Sequence, residues 1–411
     1  MSVALLAPGT ARAAVAEDAT RNARFDRVIA TYYGGAWGVE LGVYSNGRPM
    51  YVHGYGLRDR GLPDKFNGSN FWRIEQPDKL LHLARGEFAP DALSAFDLGS
   101  VSKEFTAGAI LLLQQDGKLS VDDPLSKFFP MFPRGGSIPL LYLLQQRSGL
   151  VDYNNFGGQV DFTKAYDAFL ASGQRDYTPI VDRLATYPLL FKPGTQYYYS
   201  NTNYLLLGLI VAKVSGVPLG AFLQRRILGP LGMQHTRQGY PAQPVTDLAL
   251  GYENDYGPIY RSWQWNLNWL AGCGGLTSTV GDVELWDRAV RAPGIFSRES
   301  LRQMFTKSPI HEPFGSYADG WVISSLDGHL YIWHNGAVGG FRTMNATFPN
   351  DGIEIVVLTN YGNGNDPYSA IPSLFKIALS ERASERGFER FSLKQTSPAE
   401  GSQGHERFVP R

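Results

Sequence analysis

Short apolar repeats at the two ends of the chain and longer apolar runs in its middle set the order of elements. Residues 37–56, WGVELGVYSNGRPMYVHGYG, alternate apolar and other positions around Asn46-Gly47. That pattern predicts a β-hairpin, because Asn-Gly accepts the positive φ angles of a tight turn. Just upstream, Phe25, Val28, Ile29 and Tyr32 repeat with helical spacing. Four more strand patterns follow residue 315: GWVISS, HLYIWH, FRTMNATF and GIEIVVLTN. The last two are joined by a turn at Pro349-Asn350-Asp351-Gly352, and a helical segment, SAIPSLFKIALSER, comes after them. Between the two strand-rich ends lie helical pieces broken by Pro and Gly, with no strong strand pairs. Two of these pieces are long and very apolar. One runs from Ser100 to Gln115 and stops at Gly117; the other covers 200–216 and stops at Gly216.

This layout predicts an α+β fold. One antiparallel sheet draws strands from both ends of the chain, terminal helices flank it, and the middle forms a mostly helical second lobe. The expected organisation is a sheet lobe from 21–98 and 285–385, a helical lobe from 99–284, and a loose polar tail over 386–411. A site is expected in the crevice between the lobes. Residues 57–95 are rich in Gly, Pro, Asp and Asn and read as one long irregular excursion.

Composition narrows the function. Lys+Arg and Asp+Glu both total 38 in 411 residues, so no basic excess points to nucleic acid. No apolar run reaches the roughly 20 residues of a membrane span. The single cysteine, Cys273, rules out an internal disulfide framework or a cysteine zinc site, and it reads as a small buried residue. The seven His are scattered and form no metal-binding motif, so neither metal nor organic cofactor is expected. The first 20 residues, with a short apolar stretch and then ARA and AVA, read as the remnant of an export signal. They suggest a periplasmic or secreted protein.

One stretch carries chemistry. FDLGSVSKEF (96–105) sets Ser100 and Lys103 one helical turn apart at the mouth of an apolar helix. A Ser there is ordinarily a helix cap and a Lys is ordinarily solvated. The segment that follows, EFTAGAILLL, is too apolar for a surface helix, so Lys103 is carried toward the core. Burial lowers the pKa of an amine, and a neutral amine beside a hydroxyl can take its proton. The spacing alone is not specific, because Ser373 and Lys376 repeat it inside the last helix, where no partner is evident.

The flanks decide between them. F-D-L-G-S-V-S-K-x-F-T-A resembles the nucleophile signature of serine β-lactamases and penicillin-binding proteins, most closely the class C branch with its esterase and D,D-peptidase relatives. The resemblance implies that Ser100 is the acylated nucleophile and Lys103 its proton partner. The family also carries Y-x-N. Tyr44, Tyr153, Tyr199, Tyr252 and Tyr361 all have Asn two residues on, but only Tyr199 sits in PGTQYYYSNTNYLLLG, close to the family's context. Tyr44 is expected in the hairpin turn. Tyr199 is implied as a proton shuttle of lowered pKa, and Asn201 as a partner of Lys103 and of substrate.

The family's K-T-G is absent. His334-Asn335-Gly336 is expected in its place, between two strands. Gly336 is implied to admit substrate backbone, and the N–H groups of Ala337 and Ser100 to form an oxyanion hole. A neutral His334 in place of Lys puts recognition of a substrate carboxylate in doubt, with Arg342 as a candidate replacement cation. LLQQRSGLVDY (143–153), AGCGGLTSTVGDVELW (271–286) and YADGWVI (317–323) also resemble family stretches, so the likeness runs from about 37 to 362.

An α/β-hydrolase would need G-x-S-x-G, which the sequence lacks. The reading is a serine hydrolase acting through an acyl-enzyme on an amide or ester carbonyl of a small molecule or short peptide. A penicillin-binding sensor that does not turn over is the alternative.

Overall fold

The structure is a computed structural model. It describes residues 8–34, 37–60, 87–88, 93–132, 134–154, 161–239, 247–254, 259–262 and 266–396. Most of the 57–95 excursion therefore lies outside the described residues.

The hairpin forms where the alternation predicts it. Strand β1 (Val39–Ser45) turns through Asn46 and Gly47, at φ 51° and 75°, into β2 (Arg48–Tyr55). Tyr44 stands on β1, not in the turn, because the turn needs only the two residues that accept positive φ.

The central sheet has seven strands. Its later members are β6 (Ser316–Tyr317), β7 (Val322–Leu326), β8 (His329–Val338), β9 (Phe341–Phe348) and β10 (Ile353–Thr359). The strand order is β6-β7-β8-β9-β10-β1-β2, so β10 and β1 zip the two ends of the chain together from Val39↔Thr359 to Ser45↔Ile353. A smaller sheet pairs β3 (Phe96–Asp97) and β4 (Arg237–Gln238) with β5 (Leu276–Ser278).

One face of the large sheet is covered by α1 (Pro8–Tyr33) and the last helix, Ile371–Thr396. The other face meets α2 (Ser102–Gln115) and α4 (Val280–Arg291), which lie on either side in sequence of the second apolar helix, α3 (Asn201–Ser215). The last helix is α5. It extends to Thr396, into the segment expected to be loose, and α1 begins within the segment read as an export remnant. The expected lobe boundary at 284/285 falls inside α4, which packs on β1 and β10 as one unbroken helix capped by Thr279.

Helix α2 is buried from Ser102 to Leu113. Side chains such as Phe105, Leu111 and Leu112 each contribute roughly 1.5–3 kcal/mol by leaving water. That apolar burden fixes the helix, and the charged residues on it must then find partners inside the protein.

Glu104 does so at a three-way joint. Asn345 of β9 donates one amide nitrogen to Glu104 Oε2 at 3.0 Å and to Asp287 Oδ1 of α4 at 2.8 Å. Trp286 Nε1 donates to the same Glu104 oxygen at 2.9 Å. Helix α2, helix α4 and the sheet are thereby tied together. Burial pushes the Glu104 carboxyl well above its usual range and Asp287 up to about 7, against the opposing hydrogen bond from Asn345.

A carboxyl raised in the folded state contributes stability that is complete below its unfolded pKa, near 3.9, and is lost as pH rises through 7. Urea denaturation at pH 5 and pH 8 is expected to show a loss of about 2–3 kcal/mol from Asp287 alone. Asp287→Asn is expected to flatten that part of the slope. An unchanged slope in this variant would remove Asp287 as its source.

Candidate active site

Ser100 sits in a 3-10 turn, Gly99–Val101, that leads into α2. The turn is anchored from both sides: Leu98 N–H donates to Leu276 O at 2.9 Å, and Thr343 Oγ1 donates to Leu98 O at 2.7 Å. Ser100 is thus held before the regular helix begins, where backbone N–H groups still point outward.

Lys103 is fully buried. Its Nζ lies 3.0 Å from Ser100 Oγ, 2.8 Å from Asn201 Oδ1 and 2.6 Å from the Cys273 carbonyl. Burial pulls its pKa down to about 8, against the opposing charge of Asp152. The Cys273 carbonyl is presented by a tight turn. A Cβ on Gly272, at φ 78°, would lie 2.2 Å from Tyr204 O, so no larger residue fits there. Cys273 itself is buried, as expected.

Tyr199 places its ring centroid 4.9 Å from Lys103 Nζ, and its hydroxyl stands near Ser100. The surroundings push the phenol well above 10, chiefly through burial of its hydroxyl end. This corrects the expectation of a lowered Tyr pKa: in this site the lowered group is the amine, and the phenol is a neutral donor.

Asn201 opens α3. Asp152, which the sequence reading gave no role, accepts from Asn201 N–H at 3.2 Å and from Asn201 Nδ2 at 3.1 Å. That carboxylate caps the helix N-terminus and turns the amide oxygen toward Lys103.

His334 lies within β8, not between strands, with 2% of its surface exposed. Its ring centroid is 6.2 Å from that of Tyr199. Nδ1 faces the Asn335 carbonyl at 2.6 Å, so it carries the proton, and Nε2 accepts from the Tyr317 hydroxyl at 2.9 Å. Burial, together with the charge of Lys103, pulls its pKa down to about 3. His334 therefore stands in the wall as a neutral, fully bonded ring.

Gly336 is needed for a different reason from the one the sequence suggested. A Cβ there would lie 2.0 Å from Leu98 O and 2.3 Å from Thr343 Oγ1. The chain's own Ser100 turn fills the space expected for substrate backbone. Ala337 borders the same turn, since a Cβ on Gly99 would lie 2.8 Å from Ala337 N. Pairing of β7 with β8 ends at Val322↔Trp333, so residues 334–338 have a partner strand only on the β9 side.

Arg342 is not a replacement cation on this face. It pairs with Ala337 across the ladder, and strand alternation puts both on the side of Asn335, whose amide bonds Asp366. The other Y-x-N tyrosines are elsewhere: Tyr153 OH bonds Trp269 O at 2.8 Å, and Tyr252 OH bonds Asp59 at 2.9 Å. Tyr361 stacks on Trp37. Lys376 of the second S-x-x-K is exposed, 3.3 Å from Asp327.

The profile of one family, Beta-lactamase, matches residues 25–374. The chain belongs to the beta-lactamase family. Its relatives in this family include penicillin-binding protein 4* of Bacillus subtilis (strain 168), 30% identical over 285 residues that cover 65% of this chain and 61% of that protein. Protein flp of Staphylococcus aureus (strain COL) is 29% identical over 274 residues, covering 64% and 52%. The matched part thus spans about half to three fifths of these relatives.

Among solved structures, the octameric penicillin-binding protein homologue of Pyrococcus abyssi is 26% identical, with a TM-score of 0.66 over 90% of this chain and 77% of that one. The D-amino acid amidase of Ochrobactrum anthropi SV3 shares the fold, with a TM-score of 0.68 at 22% identity over 87% and 97%. A family that includes serine hydrolases and this α+β architecture agree with the resemblance read from the motifs. Among the described residues no single helix is long and apolar enough to cross a membrane, and no cluster of His, Cys, Asp or Glu is arranged to hold a metal ion.

Gly336→Ala tests the packing of the beta-lactamase-family turn. It is expected to lower the melting temperature by several degrees and to cut labelling of Ser100 by a fluorophosphonate at least tenfold. Wild-type labelling in a destabilised variant would separate the turn from the strand.

Proposed function

We propose that the chain is a serine acyl hydrolase in which Ser100 is the nucleophile, Lys103 its base and Tyr199 the proton relay. One observation carries the reading. Two of the three groups around Lys103 Nζ, the Asn201 and Cys273 oxygens, can only accept hydrogen bonds. When Lys103 loses a proton, its two remaining N–H groups stay with them. The freed lone pair then points at the one partner able to donate, the Ser100 hydroxyl. The neutral amine is prepared as a base for that hydroxyl.

The steps follow. Ser100 Oγ attacks the carbonyl carbon and its proton passes to Lys103 Nζ. The oxyanion is held by the N–H groups of Ser100 and Ala337. As the carbon–leaving-group bond breaks, the departing atom takes a proton from the Tyr199 hydroxyl, which Lys103 replenishes. Water then attacks the acyl-enzyme by the reverse proton route and frees Ser100. Asn201 holds Lys103 and offers its amide to the substrate.

The substrate class we infer is a neutral ester or amide, in preference to a carboxylate-bearing β-lactam or D,D-peptide. Neutral His334 and the placement of Arg342 on the other face support this, and so does the aromatic group of Tyr197, Tyr199, Phe314 and Tyr317 beside the site. Wild type and Ser100→Ala are to be compared on p-nitrophenyl butyrate, nitrocefin and a D-alanyl-D-alanine peptide. The ester is expected to turn over fastest and the variant to lose at least a thousandfold. Full activity in Ser100→Ala would end the proposal. Stable acylation of Ser100 by a penicillin, with no turnover of any substrate, would favour the sensor.

The pH profile is a second test. With Lys103 near pH 8, about a tenth of the enzyme holds the neutral amine at pH 7. The rate constant kcat/KM for the ester is expected to rise about tenfold per pH unit below 8 and to level above it. A profile flat from pH 6 to 9 would exclude Lys103 as the titrating base.

A further inference from the structure

We propose that Gln146 is a positioning residue for Tyr199, gripping the chain on both sides of it. Gln146 is fully buried and, though not glycine, has φ 56°. Left-handed backbone in a buried Gln persists only where its surroundings demand it. Here its two oxygens account for the conformation. The backbone carbonyl accepts from Tyr198 N–H at 2.9 Å, and side-chain Oε1 accepts from Ser200 N–H at 3.0 Å. The residue between those two amides is Tyr199.

The orientation of the Gln146 amide follows from chemistry, because only its oxygen can accept from a backbone N–H. The same oxygen accepts from Asn203 Nδ2 at 2.6 Å, and Asn203 Oδ1 in turn accepts from Ser148 Oγ at 2.6 Å. Asn203 lies on the first turn of α3, two residues beyond Asn201. The grip therefore sets the Tyr199 segment and the start of that helix against one point. The lacing continues outward: Gly194 N–H donates to Arg147 O and Leu190 N–H to Gly149 O, both at 2.8 Å. Gln146 thus holds the chain around Tyr199 through Tyr198, Ser200 and Asn203, not through Ser100 or Lys103. Misplacing a reacting group by about 1 Å costs on the order of a hundredfold in rate, so a grip of this kind has a kinetic signature.

This inference rests on Tyr199 acting as the proton relay, and a double-mutant cycle on ester hydrolysis separates the two claims. Gln146→Leu is expected to lower kcat at least tenfold with KM within threefold of wild type. Tyr199→Phe is expected to lower kcat by more. The double variant is expected to match Tyr199→Phe alone, since a grip on an absent hydroxyl does nothing. If the two losses multiply instead, Gln146 acts through general packing and the proposal fails, while the relay stands. If Tyr199→Phe is as active as wild type, the relay and the proposal fall together. Gln146→Ser, which leaves room for a water, serves the same cycle if the Leu variant does not fold.

Discussion

A single buried amine organises this protein. Helix α2 is too apolar to lie anywhere but the interior, and it carries Lys103 with it. An ammonium taken from water without partners costs several kcal/mol, so the fold must bring acceptors to it or discharge it. It does both. Asn201 arrives at the start of α3 and the Cys273 carbonyl in a turn before β5, residues 98 and 170 positions away along the chain. The pKa of the amine still falls to about 8. The same arrangement that makes burial tolerable leaves the amine easily discharged, 3.0 Å from the Ser100 hydroxyl.

Behind that amine stands a layer of groups that fix its partners and do no chemistry themselves. Asp152 caps α3 and orients Asn201. Gly272 and Gly336 stand where a Cβ would collide with backbone, the first under the Cys273 carbonyl and the second under the Ser100 turn. The Glu104–Asn345–Asp287 joint sits one residue beyond Lys103 and ties α2 to α4 and the sheet. Helix α2 is therefore held at its start by the sheet, along its length by apolar packing, and at Glu104 by hydrogen bonds. A site that must keep an amine and a hydroxyl 3.0 Å apart needs such support, because proton transfer falls off steeply with distance.

The electrostatics of the surrounding wall explain the inferred preference for uncharged substrates. Every polar atom of the His334 ring is committed within the protein, and its low pKa keeps it neutral through the physiological range. A carboxylate brought beside it would meet no compensating charge from that position. An uncharged ester or amide would lose far less than a carboxylate on leaving water.

Consecutive residues carried the strands at both ends, the two apolar helices and the Ser100–Lys103 spacing, and the sequence's likeness to the family added Tyr199 and Asn201. Local periodicity, turn chemistry and a closely spaced motif are written in consecutive residues. That likeness selected Tyr199 from five equivalent-looking tyrosines, through the flanking PGT and YSN. The apolar run of α2 already implied a lowered Lys103, whereas the direction at Tyr199 came only with the tertiary structure. That structure raised the phenol where it lowered the amine, because burial acts oppositely on an amine and a phenol. Likewise it put Arg342 on the far face of the sheet, because its pairing with Ala337 sets it on the side of Asn335 and away from His334 and Gly336. Gly336 faces Leu98 for the same kind of reason, and Asp152 and Gln146 meet the Tyr199–Asn201 segment across about 50 residues of chain. Contacts of that range depend on how distant segments pack, and no spacing in the sequence encodes them.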